Sequence, residues 1–112
     1  MNLQGVPTVD VDEARDELEA GAYLLDVRRP EEFEEARIAG AQLITLQELS
    51  RRVEELPEGK RLVVYCKSGG RSGQAVSWLN ARGFDAVNMA GGIDDWQLRG
   101  LPTETGPADQ DG

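Results

Sequence analysis

The chain contains a single cysteine, Cys66, in the segment Tyr65-Cys66-Lys67-Ser68-Gly69-Gly70-Arg71-Ser72. The residue types around that thiol suit an anion. Gly69 and Gly70 permit positive φ and leave room for backbone N–H groups to converge, and convergent N–H groups form an anion-binding nest. A helix beginning at about Ser72 would turn its positive end towards the same point. Lys67 and Arg71 add two cations. A thiol in such a place is drawn towards thiolate, by about one to several units from a free value of about 8.5. Taken singly, these signals are ordinary: a lone cysteine after a strand is commonly a small buried hydrophobe, and a glycine pair is commonly a turn. In combination they point to an anion-handling thiol.

The rest of the composition narrows the chemistry. There is no histidine, so Cys-His and Ser-His pairs and imidazole metal ligation are excluded. One cysteine makes neither an internal disulfide nor a multi-cysteine zinc site. No metal and no cofactor are expected. The formal net charge of −9, from 21 acidic and 12 basic residues, argues against nucleic acid or an anionic membrane as partner. Met1 to Thr8 has neither a basic nor an apolar leader region, and no apolar run approaches membrane-spanning length. A reducing cytoplasm is therefore the expected compartment, and it suits a free thiol.

The elements that would hold the loop follow from the apolar pattern. A length of 112 residues is that of one domain, able to bury roughly two-thirds of its unfolded surface; a monomer is the simplest expectation. Asp12 to Ala20 reads as a helix capped by Asp10 or Asp12 and stopped at Gly21. Ala22 to Val27 reads as a buried strand, and Pro30 opens a short helix through Glu35. Ala41 to Thr45 is a second short strand. Leu46, Leu49, Val53 and Leu56 have helical spacing, closed by Pro57 and Gly59. Arg61 to Tyr65 is the clearest strand, continuous and β-branched as a central parallel strand should be. A helix over Ser72 to Arg82, a strand over Phe84 to Asn88 and a last helix over Ile93 to Leu98 complete the series. This alternation predicts an α/β domain with a mostly parallel central sheet. Ligands of such sheets bind outside the carboxyl ends of the strands, where Cys66 falls. Residues 1–102 form the expected domain, and 103–112, without a large apolar residue, a solvated acidic tail.

Several motifs, in order, resemble those of the rhodanese family of sulfurtransferases. They are Cys66 to Ser72; Asp26-Val27-Arg28 followed by Glu32-Phe33; and Ala90-Gly91-Gly92-Ile93-Asp94-Asp95-Trp96 with Gly100-Leu101-Pro102 behind it. Together they span about Val9 to Pro102. The resemblance implies a small rhodanese-like domain, its sheet flanked by helices on both faces. One departure is Arg37-Ile38-Ala39-Gly40-Ala41, where the family usually carries His-Ile-Pro-Gly-Ala.

The resemblance also implies a reaction. Cys66 thiolate would take a sulfane sulfur from thiosulfate or a persulfide donor, and a thiol (protein thiols included) or cyanide would remove it. Lys67, Ser68, Gly69, Gly70, Arg71 and Ser72 would bind the small anionic donor, with Ser72 equally suited as a helix cap. Asp26, Arg28 and Glu32 are expected to support the loop through ion pairs. Trp78 and Trp96 are expected to pack, and Arg37, Arg51 and Arg52 to face solvent. Two other readings remain open from sequence: a non-catalytic or persulfide-carrier module serving a protein partner, and a cysteine phosphatase. Phosphatase loops hold five residues between cysteine and arginine, whereas Lys67 to Gly70 makes four here.

Overall fold

The computed structural model describes residues 5–107. Five parallel strands form one sheet, and their order places the clearest predicted strand in its middle. In chain order the strands are β1 (Thr8–Val9), β2 (Tyr23–Asp26), β3 (Gln42–Leu43), β4 (Arg61–Tyr65) and β5 (Asp85–Met89). The spatial order is β1-β5-β4-β2-β3, with every pairing parallel. The helices are α1 (Val11–Glu19), α2 (Pro30–Glu35), α3 (Leu49–Arg52), α4 (Gly70–Ala81) and α5 (Gly92–Leu98).

β4 is buried from Leu62 to Tyr65 because both faces of a parallel sheet are covered by its crossover helices. Its side chains alternate between two cores, as strand period requires. Leu62 and Val64 join Leu49, Ala75, Val76 and Leu79 from the α3 and α4 side. Val63 and Tyr65 join Val11, Ala14, Ile93 and Trp96 from the α1 and α5 side. Cys66 continues the alternation and falls in the α4-side core, so the strand's own register aims the thiol under the start of α4.

The structure departs from the sequence expectations at several places. β1 has no counterpart among them: two residues, Thr8 and Val9, pair with Asn88 and Met89, too few to show any periodicity. The helix expected from Leu46 to Leu56 is broken into a 3-10 turn (Leu46–Glu48), the single turn of α3 and a second 3-10 turn (Val53–Glu55). Residues three apart eclipse one another in 3-10 geometry, and Leu49 and Leu56 still reach the core. α4 starts at Gly70 rather than Ser72, because the Gly73 N–H already bonds the Gly69 carbonyl at 3.0 Å. Finally, Arg37 does not face solvent. Its guanidinium donates to the carbonyls of Phe33 and Gly106 at 3.2 and 3.0 Å and lies over the Phe33 ring, 4.8 Å from the centroid.

Within the segment expected as a tail, residues 103–107 are described: Glu104 forms an antiparallel bridge with Arg37. The rest of that segment, and Met1 to Gln4 of the expected leaderless start, lie outside the described residues. Among the described residues no helix is long and apolar enough to cross a membrane.

Candidate active site

The loop from Cys66 to Gly69 joins the carboxyl end of β4 to α4, and its backbone is fixed by α5. Ile93 N–H donates to the Cys66 carbonyl at 3.0 Å and Asp94 N–H to the Lys67 carbonyl at 3.1 Å. In a trans peptide the C=O and the next N–H point in opposite directions. Holding those carbonyls outward against α5 therefore turns the loop's amides inward. Gly92 makes the approach possible: it has φ +58°, and a Cβ there would stand 2.5 Å from the Lys67 carbonyl oxygen.

The thiol lies where those amides converge. Cys66 is 1% exposed, and its Sγ accepts the Gly69 N–H at 3.0 Å. Ser72, fully buried on the first turn of α4, places its Oγ 3.3 Å from the same sulfur. Burial pushes the Cys66 thiol up, but donors from the Ser72 hydroxyl and the backbone of Ser72, Gly69 and Ser68 outweigh it and leave the pKa below its ordinary value. Hydrogen bonds to a charged form favour that form.

That sign gives a direct expectation. Alkylation of Cys66 by iodoacetamide should reach half its maximal rate at a pH below the midpoint of a free cysteine, about 8.5. Restricted access to the sulfur lowers the plateau rate without moving the midpoint, whereas desolvation raises the midpoint and the donors lower it. A midpoint at or above the free value would show that desolvation dominates.

The two glycines differ. Gly69 adopts φ +116°, a left-handed conformation that strains any side chain. Gly70 does not share the positive φ expected of it, and a Cβ on it would meet nothing within 4 Å. Only Gly69 is required by backbone geometry.

The two cations also differ from expectation, since each is held by a carboxylate. Arg71 makes a two-pronged pair with Glu32 of α2, at 2.8 and 2.9 Å. The Arg71 guanidinium is the main reason the Glu32 carboxyl falls to about 2. The pair is thus intact at neutral pH, and its contribution to stability is lost only as pH falls from the ordinary carboxylate range towards that value. Lys67 Nζ meets both oxygens of Asp94 at 3.1 and 3.0 Å, in the open. The amides, rather than two unpaired cations, supply the nearest positive charge to the sulfur.

Asp26 and Arg28 form a buried pair beneath the next loop. Arg28 donates from Nη2 to Asp26 Oδ2 at 2.7 Å, from Nε at 3.0 and 3.1 Å, and from its backbone at 2.9 Å. The same guanidinium holds the Ala36 carbonyl at 2.7 Å, which ties the end of β2 to the end of α2. Glu32, in turn, caps that helix by accepting Arg29 N–H at 3.0 Å. Ser68 contributes its backbone, and its side chain is exposed. Trp96 packs at 7% exposure and donates its indole N–H to the Pro102 carbonyl at 2.9 Å. Trp78 lies half-buried under Arg82.

One residue of the site has no sequence signal of its own. Asn88, buried on β5, reaches across to α4 and bonds both the Ser72 hydroxyl and the Gly69 carbonyl. A polar residue at the end of an apolar strand was the one available hint. Beside Arg71 a cleft of about 510 Å³ opens, lined by Val27, Arg29, Pro30, Thr45, Leu46, Gln47 and Glu48. Among the described residues, no group of three or more His, Cys, Asp or Glu is placed to hold a metal ion.

Comparison with known proteins places the chain in one family and fold. A family model described as the Rhodanese-like domain matches residues 10–99. A sulfurtransferase of Allochromatium vinosum is 38% identical over 80 residues, covering 70% of this chain and 75% of that protein. The putative sulfurtransferase YtwF of Bacillus subtilis is 33% identical over 97 residues, covering 87% of this chain and 93% of that protein. Other relatives are much longer: the chain spans 26% of a probable adenylyltransferase/sulfurtransferase, MoeZ, of Mycobacterium tuberculosis, at 40% identity over 85% of this chain. Among solved structures, a rhodanese-related protein of Thermoplasma volcanium superposes with a TM-score of 0.83 and 31% identity, covering 88% of this chain and 97% of that one.

Proposed function

The chain belongs to the rhodanese-like family, and we propose that within it the chain is a sulfurtransferase that carries a sulfane sulfur on Cys66. The observation that carries this reading is the environment of Sγ. It is a thiol favoured as thiolate, held by the Gly69 N–H at 3.0 Å, at the carboxyl end of the central strand of a parallel sheet. Four residues separate it from Arg71. A ring this short suits a single sulfur atom better than a tetrahedral phosphate.

The reaction has two displacements. The Cys66 thiolate attacks the outer sulfur of an anionic donor such as thiosulfate. The new S–S bond forms as the donor's own S–S bond breaks, and sulfite leaves with the bonding pair. The outer sulfur of the resulting persulfide rests among the amides of Ser68, Gly69 and Ser72, which stabilise charge without reorganising. A thiolate or cyanide then attacks that sulfur, and Cys66 leaves as thiolate, ready for another cycle.

Arg71 orients the loop through Glu32 and presents the remaining face of its guanidinium to the donor. Asp26 and Arg28 support α2, and with it Glu32. An acceptor thiol would approach through the cleft that Arg71 lines.

Covalent transfer of this kind is ping-pong. With thiosulfate and cyanide both varied, double-reciprocal plots should be parallel. Lines that intersect would require donor and acceptor to be bound together, and would overturn the two-displacement scheme.

A further inference from the structure

We propose that Asn88 is a positioning residue of the Cys66 site, which takes the hydroxyl proton of Ser72 and so limits how strongly Ser72 can favour the thiolate. The inference rests on the reading of Cys66 as the nucleophile and adds a residue that sets its strength.

The site has fewer hydroxyl protons than acceptors. Ser72 has one such proton and three acceptors within reach: Asn88 Oδ1 at 2.5 Å, Cys66 Sγ at 3.3 Å and the Gly69 carbonyl at 3.3 Å. The orientation of the Asn88 amide decides among them. Its Nδ2 lies 3.2 Å from the Gly69 carbonyl, which can only accept. Oδ1 must therefore face Ser72, and an amide oxygen can only accept as well. The shortest of the three contacts is the one that claims the proton.

In the thiol state, Ser72 then turns a lone pair to Cys66, and the S–H can donate to it. When Cys66 ionises, the hydroxyl must choose between the thiolate and Asn88 Oδ1. Asn88 is 2% exposed, so an abandoned Oδ1 finds no solvent, and burying an unpaired acceptor is costly. Asn88 competes with the thiolate for a single donor. The restraint has a chemical use: a thiolate of lower pKa is also a weaker nucleophile, and the most effective attacking thiol has a pKa near ambient pH.

Register puts Asn88 in this position. It pairs with Val64 across β4 and β5, and strand alternation turns it, like Ala86, to the α4 side. The Gly69 carbonyl also accepts the Gly73 N–H at 3.0 Å. Removing Asn88 therefore leaves that carbonyl bonded and frees the Ser72 proton.

The test is a double-mutant cycle on the whole chain: the wild type, Asn88→Val, Ser72→Ala and the double variant. The readout is the midpoint of the pH profile of Cys66 alkylation by iodoacetamide. The charged groups around the Cys66 loop are Arg71 of α4 with Glu32 of α2, the Asp26–Arg28 pair at the end of β2, and the Lys67–Asp94 pair of the loop and α5. All are retained in the four proteins. With Ser72 present, Asn88→Val should lower the midpoint by about half a unit to one unit more than it does in the Ser72→Ala background, the gain expected from a charge-assisted hydrogen bond. An equal shift in the two backgrounds, or an upward one with Ser72 present, would overturn the proposal, because a purely structural role acts in both. If Asn88→Val does not fold, Asn88→Ala reads the same cycle. Alkylation does not depend on sulfur transfer, so failure of the sulfurtransferase reading would appear in the kinetics and leave this measurement unaffected.

Discussion

Replacing Cys66 by alanine should reduce sulfur transfer from thiosulfate to cyanide by about a thousandfold or more, to the background of the uncatalysed reaction, while the fold survives. The loss is that large because the residue forms and breaks the transferred bond; groups that bind or orient contribute much smaller factors. The fold should survive because the side chain is small. Deleting one buried sulfur and a donor–acceptor contact with Gly69 and Ser72 costs about 1–3 kcal/mol, within the margin of an ordinary domain. Circular dichroism and a thermal melt alongside the assay separate the two effects. A folded Cys66→Ala protein that still transfers sulfur would exclude Cys66 as the carrier.

Gly92→Ala should be the most damaging single-methyl change near the site, although Gly92 touches no substrate. A Cβ there would lie 2.5 Å from the Lys67 carbonyl oxygen, closer still to that of Cys66, at a backbone φ of +58°. Both obstacles are backbone atoms, which cannot rotate away. Left-handed strain costs about 1–3 kcal/mol, and forced overpacking adds about as much. A combined loss of about 3 kcal/mol would lower the melting temperature of a domain this size by about 15 °C. Activity should fall in the protein that remains folded, since the Cys66 and Lys67 carbonyls would be pushed off α5 and the loop amides turned away from Sγ. By contrast, Gly70→Ala, with open space around the new Cβ and an ordinary φ, should leave the fold unchanged. Equal melting temperatures for Gly92→Ala and the wild type would show that α5 does not brace the loop as described.

The difference between these two glycines shows what the sequence makes legible. Tyr65 to Ser72 is contiguous, so its strand end, thiol, turn and helix start can be read along the chain. The parallel α/β architecture is legible for the same reason: β4 and the apolar positions of α1 and α4 carry strong local patterns. Gly69 differs from Gly70 by its left-handed φ of +116°, and Gly92 by where other backbone lies, which depends on α5 arriving beside the loop. The carboxylate partners of Lys67 and Arg71 stand 27 and 39 positions away in the chain, so two residues that look like free cations are paired in space. Asn88 becomes part of the site only through the β4–β5 register. Arg37 illustrates the same limit: a charged residue between helix and loop looks solvated until Phe33 and Gly106 close around it. β1 is invisible because its stability comes from pairing with Asn88 and Met89 rather than from its own two residues.

The central claim, that Cys66 carries a sulfur, is tested most directly by the intact mass of the protein after incubation with thiosulfate and removal of the excess. The mass should rise by that of one sulfur atom, return to its starting value on addition of cyanide, and stay constant throughout in Cys66→Ala. A wild-type mass that does not change with thiosulfate or with a small-molecule persulfide, or a gain that persists in Cys66→Ala, would contradict it.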